Sequence, residues 1–477
     1  MTQSNNIGLF IFRRDYRIND NSSLHEMCKQ CSTIYPIFIF TPEQVVNNKY
    51  KSEHSVQFMI ESLYDLEHQI MKKGNARFKC FYGMNEDIIE QLVSSYNITH
   101  IGYNKDFTPY SLKRDKQIEK LANKLKVTII TSEDYTLHSL ESGILHNPNN
   151  NSMYQKFTPF YNNILHKDTD SLKVKQISKS YLRKFKSIKD SELNTITLNE
   201  AYNKFVDKPN KDLILYGGRC HGKLLLDLSK KYQNDYNNSR NNLSLKTSQL
   251  SAYLKYGCLS IREVYKYWKN KFGIESGLIR QLYWREFYAC ILYNNPSNLG
   301  KAMNPKYDLI KWKNDRTSKK HLDAWKNGET GFPIIDAAMR QLNDTGYMHN
   351  RARLIVASFL VKTLLIDWRE GEKYFAQKLV DYDVASNNGN WQWIAGSGVD
   401  SQPYFRIFNP WSQSETHDPA CIYIKTFLPE LSDVMPKHIH QWDSCYKNYK
   451  SVEYPKPIVD YKTQRDIVLK EYKRALN

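Results

Sequence analysis

Short apolar runs alternate with amphipathic stretches through the first third of the chain. The runs predict buried strands, and the stretches, whose apolar residues recur at helical spacing, predict helices between them. The predicted strands are Ile7–Phe12, Thr33–Phe40, Arg77–Tyr82, Thr99–Tyr103 and Val127–Thr131, and the predicted helices are Ser55–Lys73, Glu86–Tyr96 and Ser111–Lys126. Strands that alternate with helices indicate a parallel sheet covered on both faces. The glycine pattern G-x-G-x-x-G does not follow the first strand, so the sheet alone does not imply bound NAD.

Helical periodicity dominates from about residue 200 onward. The helix-length segments are Lys246–Tyr256, Ile261–Phe272, Ile279–Tyr293, Phe332–Asn343, Asn350–Trp368 and Tyr374–Val380, and the chain ends in a further helix. We therefore predict an α/β fold class: a Rossmann-like parallel-sheet domain over residues 1–135, an interdomain connection over 136–200, and a large all-helical domain over 201–477. Within the connection, Ser171–Asp190 carries seven basic residues and one acid, and it is either a solvated linker or part of a DNA-facing surface.

The composition narrows the class of protein. Lys and Arg exceed Asp and Glu by 68 − 50 = 18; this favours a polyanionic partner such as nucleic acid, although solubility or A/T-rich coding could also raise the lysine count. The aromatic content of 13% excludes a disordered chain.

There is no apolar stretch of ~18 residues and no basic segment before the first apolar run, so we expect neither a membrane span nor a signal peptide. Eight scattered cysteines are too few for a disulfide framework. We expect a soluble, intracellular protein, with nucleus and cytoplasm indistinguishable.

The sequence lacks the common metal and nucleophile motifs. Cys28 and Cys31 form one C-x-x-C pair without a second pair, so no metal site is predicted. The patterns H-E-x-x-H, G-x-S-x-G and G-x-x-x-x-G-K-[ST] do not occur, which argues against a zinc protease, an α/β-hydrolase and a P-loop enzyme.

The segment QLYWREFY carries an unusual mixture of side chains on one helix face. Gln281, Trp284, Arg285 and Tyr288 share that face at helical spacing. An indole that stacks and an amide that hydrogen-bonds would suit a planar ligand. The alternative is that Trp284 is an ordinary core residue and Arg285 is solvated.

An arginine on an apolar helix requires a partner. Arg353 lies on the helix that begins near Asn350, and a buried guanidinium costs several kcal/mol unless it is paired. We predict a pair with Asp381, either structural or holding a ligand. In the same acidic and aromatic segment, DYDVASNNGNWQW, Trp391 and Trp393 diverge whether the backbone is helical or extended. One indole can therefore face the interior and the other a pocket, or both belong to the core.

The segment KTSQLS offers hydroxyl groups at a predicted helix start. Thr247, Ser248 and Ser251 could bind a phosphate together with the free N–H groups of the helix. Alternatively, Thr247 or Ser248 is simply the N-cap.

Together these segments resemble the photolyase/cryptochrome family, most closely the class I cyclobutane pyrimidine dimer (CPD) DNA photolyases. The strings that carry the resemblance are FRRDYRINDNSSL, TSQLSAYLKYGCLS, QLYWREFY, GETGFPIIDAAMRQLNDTGYMHNRARLIVASFL, LLIDWREGEKYF, DYDVASNNGNWQW and GSGVDSQPYFRIFNP. The resemblance implies FAD in the helical domain and light-driven repair of a dimer flipped out of UV-damaged DNA by a monomer. It also implies a second antenna chromophore, a folate or a deazaflavin, against the N-terminal domain near Asn104–Tyr110, a segment that otherwise reads as a strand-to-helix loop.

The resemblance also assigns roles to individual residues. The FAD phosphate and ribose contacts are Tyr236, Thr247, Ser248, Gln249, Leu250 and Ser251. The flavin contacts are Arg353, Asp381, Tyr382, Asp383 and Asn387, the last beside flavin N5. The lesion contacts are Gln281, Trp284, Asn350 and Trp393. The DNA contacts are Arg240, Arg285, Asn350, Arg351, Arg406 and Gln413. The photoreduction chain is Trp391, Trp368 and Trp312.

Two positions depart from the family pattern. Gln281 stands where CPD photolyases usually carry Glu, and Leu354 stands where they usually carry Met. An amide can hydrogen-bond the bases but cannot donate a proton as an acid, so two alternatives stay open: a photoreceptor without repair, and a photolyase for another lesion. The (6-4) photolyases place two histidines where this chain has Asn350 and Leu354, which argues against that reaction.

Overall fold

In the computed structural model, which describes residues 6–74, 76–165, 167, 172–189, 194–401 and 403–477, five parallel strands form the sheet that the N-terminal apolar runs predict. The strands are β1 (Ile7–Phe12), β2 (Thr33–Phe40), β3 (Lys79–Tyr82), β4 (His100–Lys105) and β5 (Thr128–Glu133). Their spatial order is β3-β2-β1-β4-β5. The central strand β1 is buried from Gly8 to Phe12 on both faces, as a sheet covered on both sides requires. The predicted α/β class is confirmed.

Helices make up most of the remaining regular structure. In chain order they are α1 (Ser22–Gln30), α2 (Pro42–Val45), α3 (Glu53–Gly74), α4 (Asn85–Tyr96), α5 (Pro109–Leu125), α6 (Phe157–Ile164), α7 (Lys179–Leu182), α8 (Leu198–Phe205), α9 (Arg219–Tyr232), α10 (Tyr236–Ser239), α11 (Ser251–Lys255), α12 (Ile261–Phe272), α13 (Gly277–Asn294), α14 (Arg316–Asn327), α15 (Pro333–Thr345), α16 (Asn350–Lys362), α17 (Trp368–Lys378), α18 (Val384–Ala395), α19 (Pro410–His417), α20 (Ile422–Phe427), α21 (Pro436–His440), α22 (Trp442–Cys445) and α23 (Tyr461–Leu476). None in the described part of the chain is long and apolar enough to cross a membrane.

The chain divides into two compact units. The first unit comprises Met1–Pro209, Leu215–Lys230 and Gln249–Pro296, and the second comprises Asn210–Ile214, Lys231–Ser248 and Ser297–Asn477. The first unit thus contains helices α11 to α13 in addition to the sheet. The three-part division expected from the sequence stays a prediction.

Local signals account for the best-predicted helix, α12. Its N-cap Ser260 accepts hydrogen bonds from the backbone N–H groups of Arg262 and Glu263, and its C-cap Gly273 has a φ of +81°. A hydroxyl at the start and a left-handed glycine at the end are the usual helix boundaries. Predicted and observed bounds therefore coincide.

The core of the second unit lies among α14 to α18. Trp325, Phe332, Phe359 and Trp391 are almost fully buried there. Gly371 on α17 lies so close to Trp391 that an added Cβ would meet the indole carbon Cη2 at 2.1 Å. Only glycine lets the indole lie against this helix, which positions α18 and the residues it carries.

The observed helices differ from the predicted ones in several places. The pattern does not predict α1, because a helix of two and a half turns that buries Leu24, Met27 and Cys28 shows too little periodicity to stand out. The segment Lys246–Tyr256 is helical only from Ser251, because Gln249 adopts a φ of +52° and the helix starts after Leu250. Thr247 and Ser248 are therefore not its N-cap.

The predicted helix Asn350–Trp368 is in fact α16, a non-helical stretch and the first residue of α17. Helix α16 ends at Lys362, Leu365 adopts a φ of +58°, and Trp368 opens α17 behind the N-cap Asp367. The apolar run Leu364–Ile366 continues through the break because those residues are buried in a turn. Because these buried turn residues are as apolar as helix residues, the sequence pattern does not show the helix boundary. The predicted Tyr374–Val380 helix corresponds to the second half of α17 only as far as Lys378, where α17 ends.

Candidate active site

A cavity in the second unit is lined by all five of the predicted flavin contacts. It is lined by α16, α17, α18 and the segment before α18. The predicted site residues in its lining are Asn350, Arg353, Asp381, Tyr382, Asp383, Asn387 and Trp391, and Leu354 lines it as well. The rest of the lining includes the apolar side chains of Phe375, Leu379 and Ile394, which shield the polar groups from water.

The predicted ion pair across this cavity is confirmed. Arg353 Nη2 donates to Asp381 Oδ2 at 2.9 Å, and Arg353 Nε donates to the carbonyl oxygen of Met348 at 2.9 Å. The Asp381 side chain is only 4% exposed, whereas that of Arg353 is 25% exposed. The carboxylate is therefore buried and fixed in direction by the guanidinium.

Asn387 is held by a glutamate that sequence reasoning misses. Asp383 caps α18 by accepting from Ser386 N at 3.0 Å, which places Asn387 one turn into the helix. The Asn387 amide Nδ2 donates to the Glu372 carbonyl oxygen at 3.1 Å and to Glu372 Oε1 at 3.0 Å. Burial raises the pKa of Glu372 to about 7. Since both amide hydrogens are used, Asn387 offers its carbonyl oxygen to a ligand.

The three tryptophans of the predicted photoreduction chain lie in this unit. Trp391 and Trp368 are buried, and Trp312 is partly buried beside Tyr472, with ring centroids 6.2 Å apart. Trp391 contacts the buried indole of Trp325 edge-on at 6.3 Å. The sequence offers no signal that separates Trp325 from an ordinary core residue.

A cationic cluster lies in the same unit. Arg351 donates from Nε and Nη2 to Asn241 Oδ1, at 3.2 and 2.8 Å, and burial and nearby Arg240 lower the pKa of Arg351. Burial and the neighbouring arginines lower the pKa values of His349 and His417 to about 4. At neutral pH the two imidazoles are therefore uncharged, and the positive charge of this cluster lies on Arg240 and Arg351.

The remaining predicted contacts of the second unit are more scattered. Thr247 Oγ1 lies 2.7 Å from Tyr347 Oη. Burial and the phenol of Tyr347 contribute to a raised pKa for Tyr236, which nearby Arg240 opposes. Ser248 and Trp393 are half-buried, and Arg406 is exposed in the loop before α19. The Gln413 Oε1 atom is shielded without a protein donor in the described residues.

The first unit carries the predicted contacts on α13 and at the start of α11. Gln281, Trp284 and Arg285 are half-buried on α13, and Gln281 Nε2 donates back to the carbonyl oxygen of Gly277 at 3.2 Å. Arg285 donates to the carbonyl oxygen of Tyr135 at 2.7 Å, and its Cζ lies 3.4 Å from the Tyr135 ring centroid. Arg285 is thus engaged by its own unit. Gln249 and Leu250 precede α11, and Ser251 begins it.

A second cavity, of about 370 Å³, lies in the first unit beyond the carboxyl ends of β4 and β5. Lys105, Asp106 and Phe107 of the predicted antenna segment line it, together with Tyr135 and Tyr293. Asn104 instead donates to Asp15 and Asn21 and is buried. This edge of a parallel sheet is where α/β folds bind ligands.

Comparisons with known proteins show the family of the chain. A family model described as the FAD binding domain of DNA photolyase matches residues 278–474, and a DNA photolyase model matches residues 9–177. The Buchnera aphidicola (subsp. Acyrthosiphon pisum) deoxyribodipyrimidine photo-lyase is 35% identical over 98% of this chain and 97% of its own. An archaeal photolyase structure from Sulfolobus tokodaii, which holds two FAD molecules, has a TM-score of 0.83 and 37% identity over 98% of this chain and 100% of its own. A class III photolyase structure from Agrobacterium tumefaciens has a TM-score of 0.88 and 29% identity over 100% of this chain and 98% of its own. This chain belongs to the DNA photolyase family.

Proposed function

We propose that the protein uses FAD and light to repair cyclobutane pyrimidine dimers in DNA. The observation that carries the proposal is the cavity of the second unit, where the Arg353–Asp381 pair, the oriented Asn387 amide and Asn350 line one space. The family model and the names of the relatives support FAD and DNA repair. We further propose that the protein acts as a monomer inside the cell, wherever its DNA lies.

The donor set of this cavity fits a flavin. A flavin ring presents N–H donors and carbonyl acceptors along one edge, and the cavity offers carboxylates, an amide oxygen and a guanidinium among apolar walls. Bound, reduced FAD supplies the light-excited electron that opens the cyclobutane ring and takes that electron back afterwards, so the reaction is redox-neutral. Arg353 orients the Asp381 carboxylate, Glu372 orients Asn387, and the indole of Trp391 excludes water.

The cationic cluster fits a DNA backbone. Arg240 and Arg351 supply positive charge, and Asn241 fixes the Arg351 guanidinium. Phosphate contacts of this kind release counterions, so affinity falls steeply as salt rises. A damaged base pair costs less to unstack, which favours a flipped dimer over normal bases.

Light-driven repair can be measured directly. Photoreduced protein is mixed with an oligonucleotide that carries one cis-syn thymine dimer, and the return of thymine absorbance is followed under blue light with a dark control. We expect repair in the light only, which would also show that Gln281 suffices where relatives carry Glu. Bound, reducible flavin without repair would contradict the proposal and favour a photoreceptor, and turnover of a (6-4) lesion instead would favour the other specificity. The Gln281→Glu variant then tests whether the amide is the cause.

We also propose that the first-unit cavity binds the antenna chromophore, either a folate or a deazaflavin. Its volume of about 370 Å³ suits a fused-ring group, and its lining carries more carboxylates than lysines, which favours a ring with N–H donors over a phosphate.

The Leu112→Trp substitution fills the cavity from a 41% exposed position on α5. We expect the absorption band of the second chromophore to disappear while FAD remains, and Leu224→Trp, at a 56% exposed position elsewhere, to keep both. Retention of that band in Leu112→Trp would contradict this location.

A further inference from the structure

Trp284 of the first unit is stacked face to face on an aromatic ring from another element. The Phe157 ring, at the start of α6, lies 3.7 Å from Trp284 between ring centroids, with an angle of 7° between the planes. Phe157 is 1% exposed, whereas Trp284 is only half-buried. Helix α6 lies within the stretch that the sequence pattern treats as a mere interdomain connection.

Phe157 has little freedom to rotate. Its ring stacks on Tyr161 at 5.6 Å and 19°, and it meets Phe287 edge-on at 5.7 Å. The Arg280 guanidinium lies 5.2 Å from the ring centroids of both Phe157 and Tyr161. Rings held by stacked, edge-on and cationic neighbours are confined to one orientation.

We propose that Phe157 is a positioning residue for lesion recognition, an inference that rests on the proposed function. Phe157 covers one face of the Trp284 indole and fixes its plane before DNA binds. A flipped base can then stack only on the opposite face, at a preset angle. Binding does not have to immobilise the indole, so the affinity for the lesion rises without a direct contact from Phe157.

The matched variants Phe157→Leu and Phe160→Leu test this role. Both remove one buried ring from α6, but the Phe160 ring contacts are Tyr154, Phe157 and Phe287, not Trp284. If the Trp284 indole is no longer held in place before DNA binds, Kd should rise roughly three- to tenfold. We expect that increase for dimer-containing DNA in Phe157→Leu alone, with unchanged Kd for undamaged DNA and unchanged FAD content. Phe157→Tyr, which keeps the ring, should bind as the wild type does.

The outcomes separate this inference from the proposed function. If the wild type neither prefers nor repairs dimer-containing DNA, the proposed function fails. If the wild type does both and the two leucine variants lose equal affinity, or neither loses any, Phe157 is merely structural and the inference is overturned. Should Phe157→Leu not fold, Phe157→Met, which fills the volume without a ring plane, replaces it in the same comparison.

Discussion

Replacing Trp284 by alanine will weaken binding to dimer-containing DNA by about 5- to 150-fold, because stacking on an aromatic side chain contributes ~1–3 kcal/mol per base. Trp284 is half-buried on α13, where its indole is braced by Phe157 and can still offer a face to a ligand. The cavity that we assign to the flavin is lined from the second unit, and α13 belongs to the first unit. Flavin content should therefore stay at the wild-type value.

The measurement is a pair of binding titrations on oligonucleotides that differ only by the dimer. Undamaged DNA serves as the internal control, because phosphate contacts should hold it with unchanged affinity and unchanged salt dependence. Trp284→Phe keeps a smaller ring and should fall between the wild type and Trp284→Ala. Loss of FAD with an unaltered preference for the dimer would show that the indole serves the cofactor and not the lesion.

The Asp381→Asn variant will lose FAD. The substitution keeps the size of the side chain but removes the charge that Arg353 faces at 2.9 Å. Removal of one partner of a buried ion pair costs about 3–5 kcal/mol, which corresponds to about 100-fold or more in Kd if the pair is needed to hold the ligand. We expect the protein to be purified almost without flavin, and titration with FAD to show the weakened binding.

Loss of stability must be distinguished from loss of the site. Asp336→Asn is the matched control, because Asp336 is fully buried in the same unit and lies outside the cavity lining. Its carboxylate accepts from Thr330 N, Gly331 N and the Tyr454 hydroxyl, so the variant should lower the melting temperature and keep FAD. Equal FAD loss in both variants, or full FAD occupancy in Asp381→Asn, would refute the role of the pair.

The fold was predictable where its signals are local. The strands are continuous apolar runs, and α12 has a serine cap and a terminal glycine, so short windows of sequence suffice. The break between α16 and α17 was not predictable, because its residues are as buried and apolar as the helices beside them. Leu365 there takes a left-handed φ that only tertiary packing can impose.

The site shows the same limit. The Arg353–Asp381 pair could be predicted because a buried guanidinium on an apolar helix needs a carboxylate partner. Asp381 and Asp383 follow that helix in the sequence. The bracing of Trp284 by Phe157 spans more than a hundred residues, and nothing in either segment marks the other. The contact of Glu372 with Asn387 could not be predicted either, because a glutamate in the middle of a helix usually lies in solvent.

Folding of the second unit takes up a proton at Glu372. Burial moves the pKa of this carboxyl from its ordinary 4.5 to about 7. Between these values the folded protein holds a proton at Glu372 that the unfolded chain has released, so the contribution of Glu372 to the stability of the unit declines as pH rises through this window. Below the window the penalty is absent, and above it the penalty is complete. Glu372, which orients Asn387, thus makes the polar part of the cavity sensitive to pH. The contribution of Glu372 favours the folded unit most on the acidic side of neutrality.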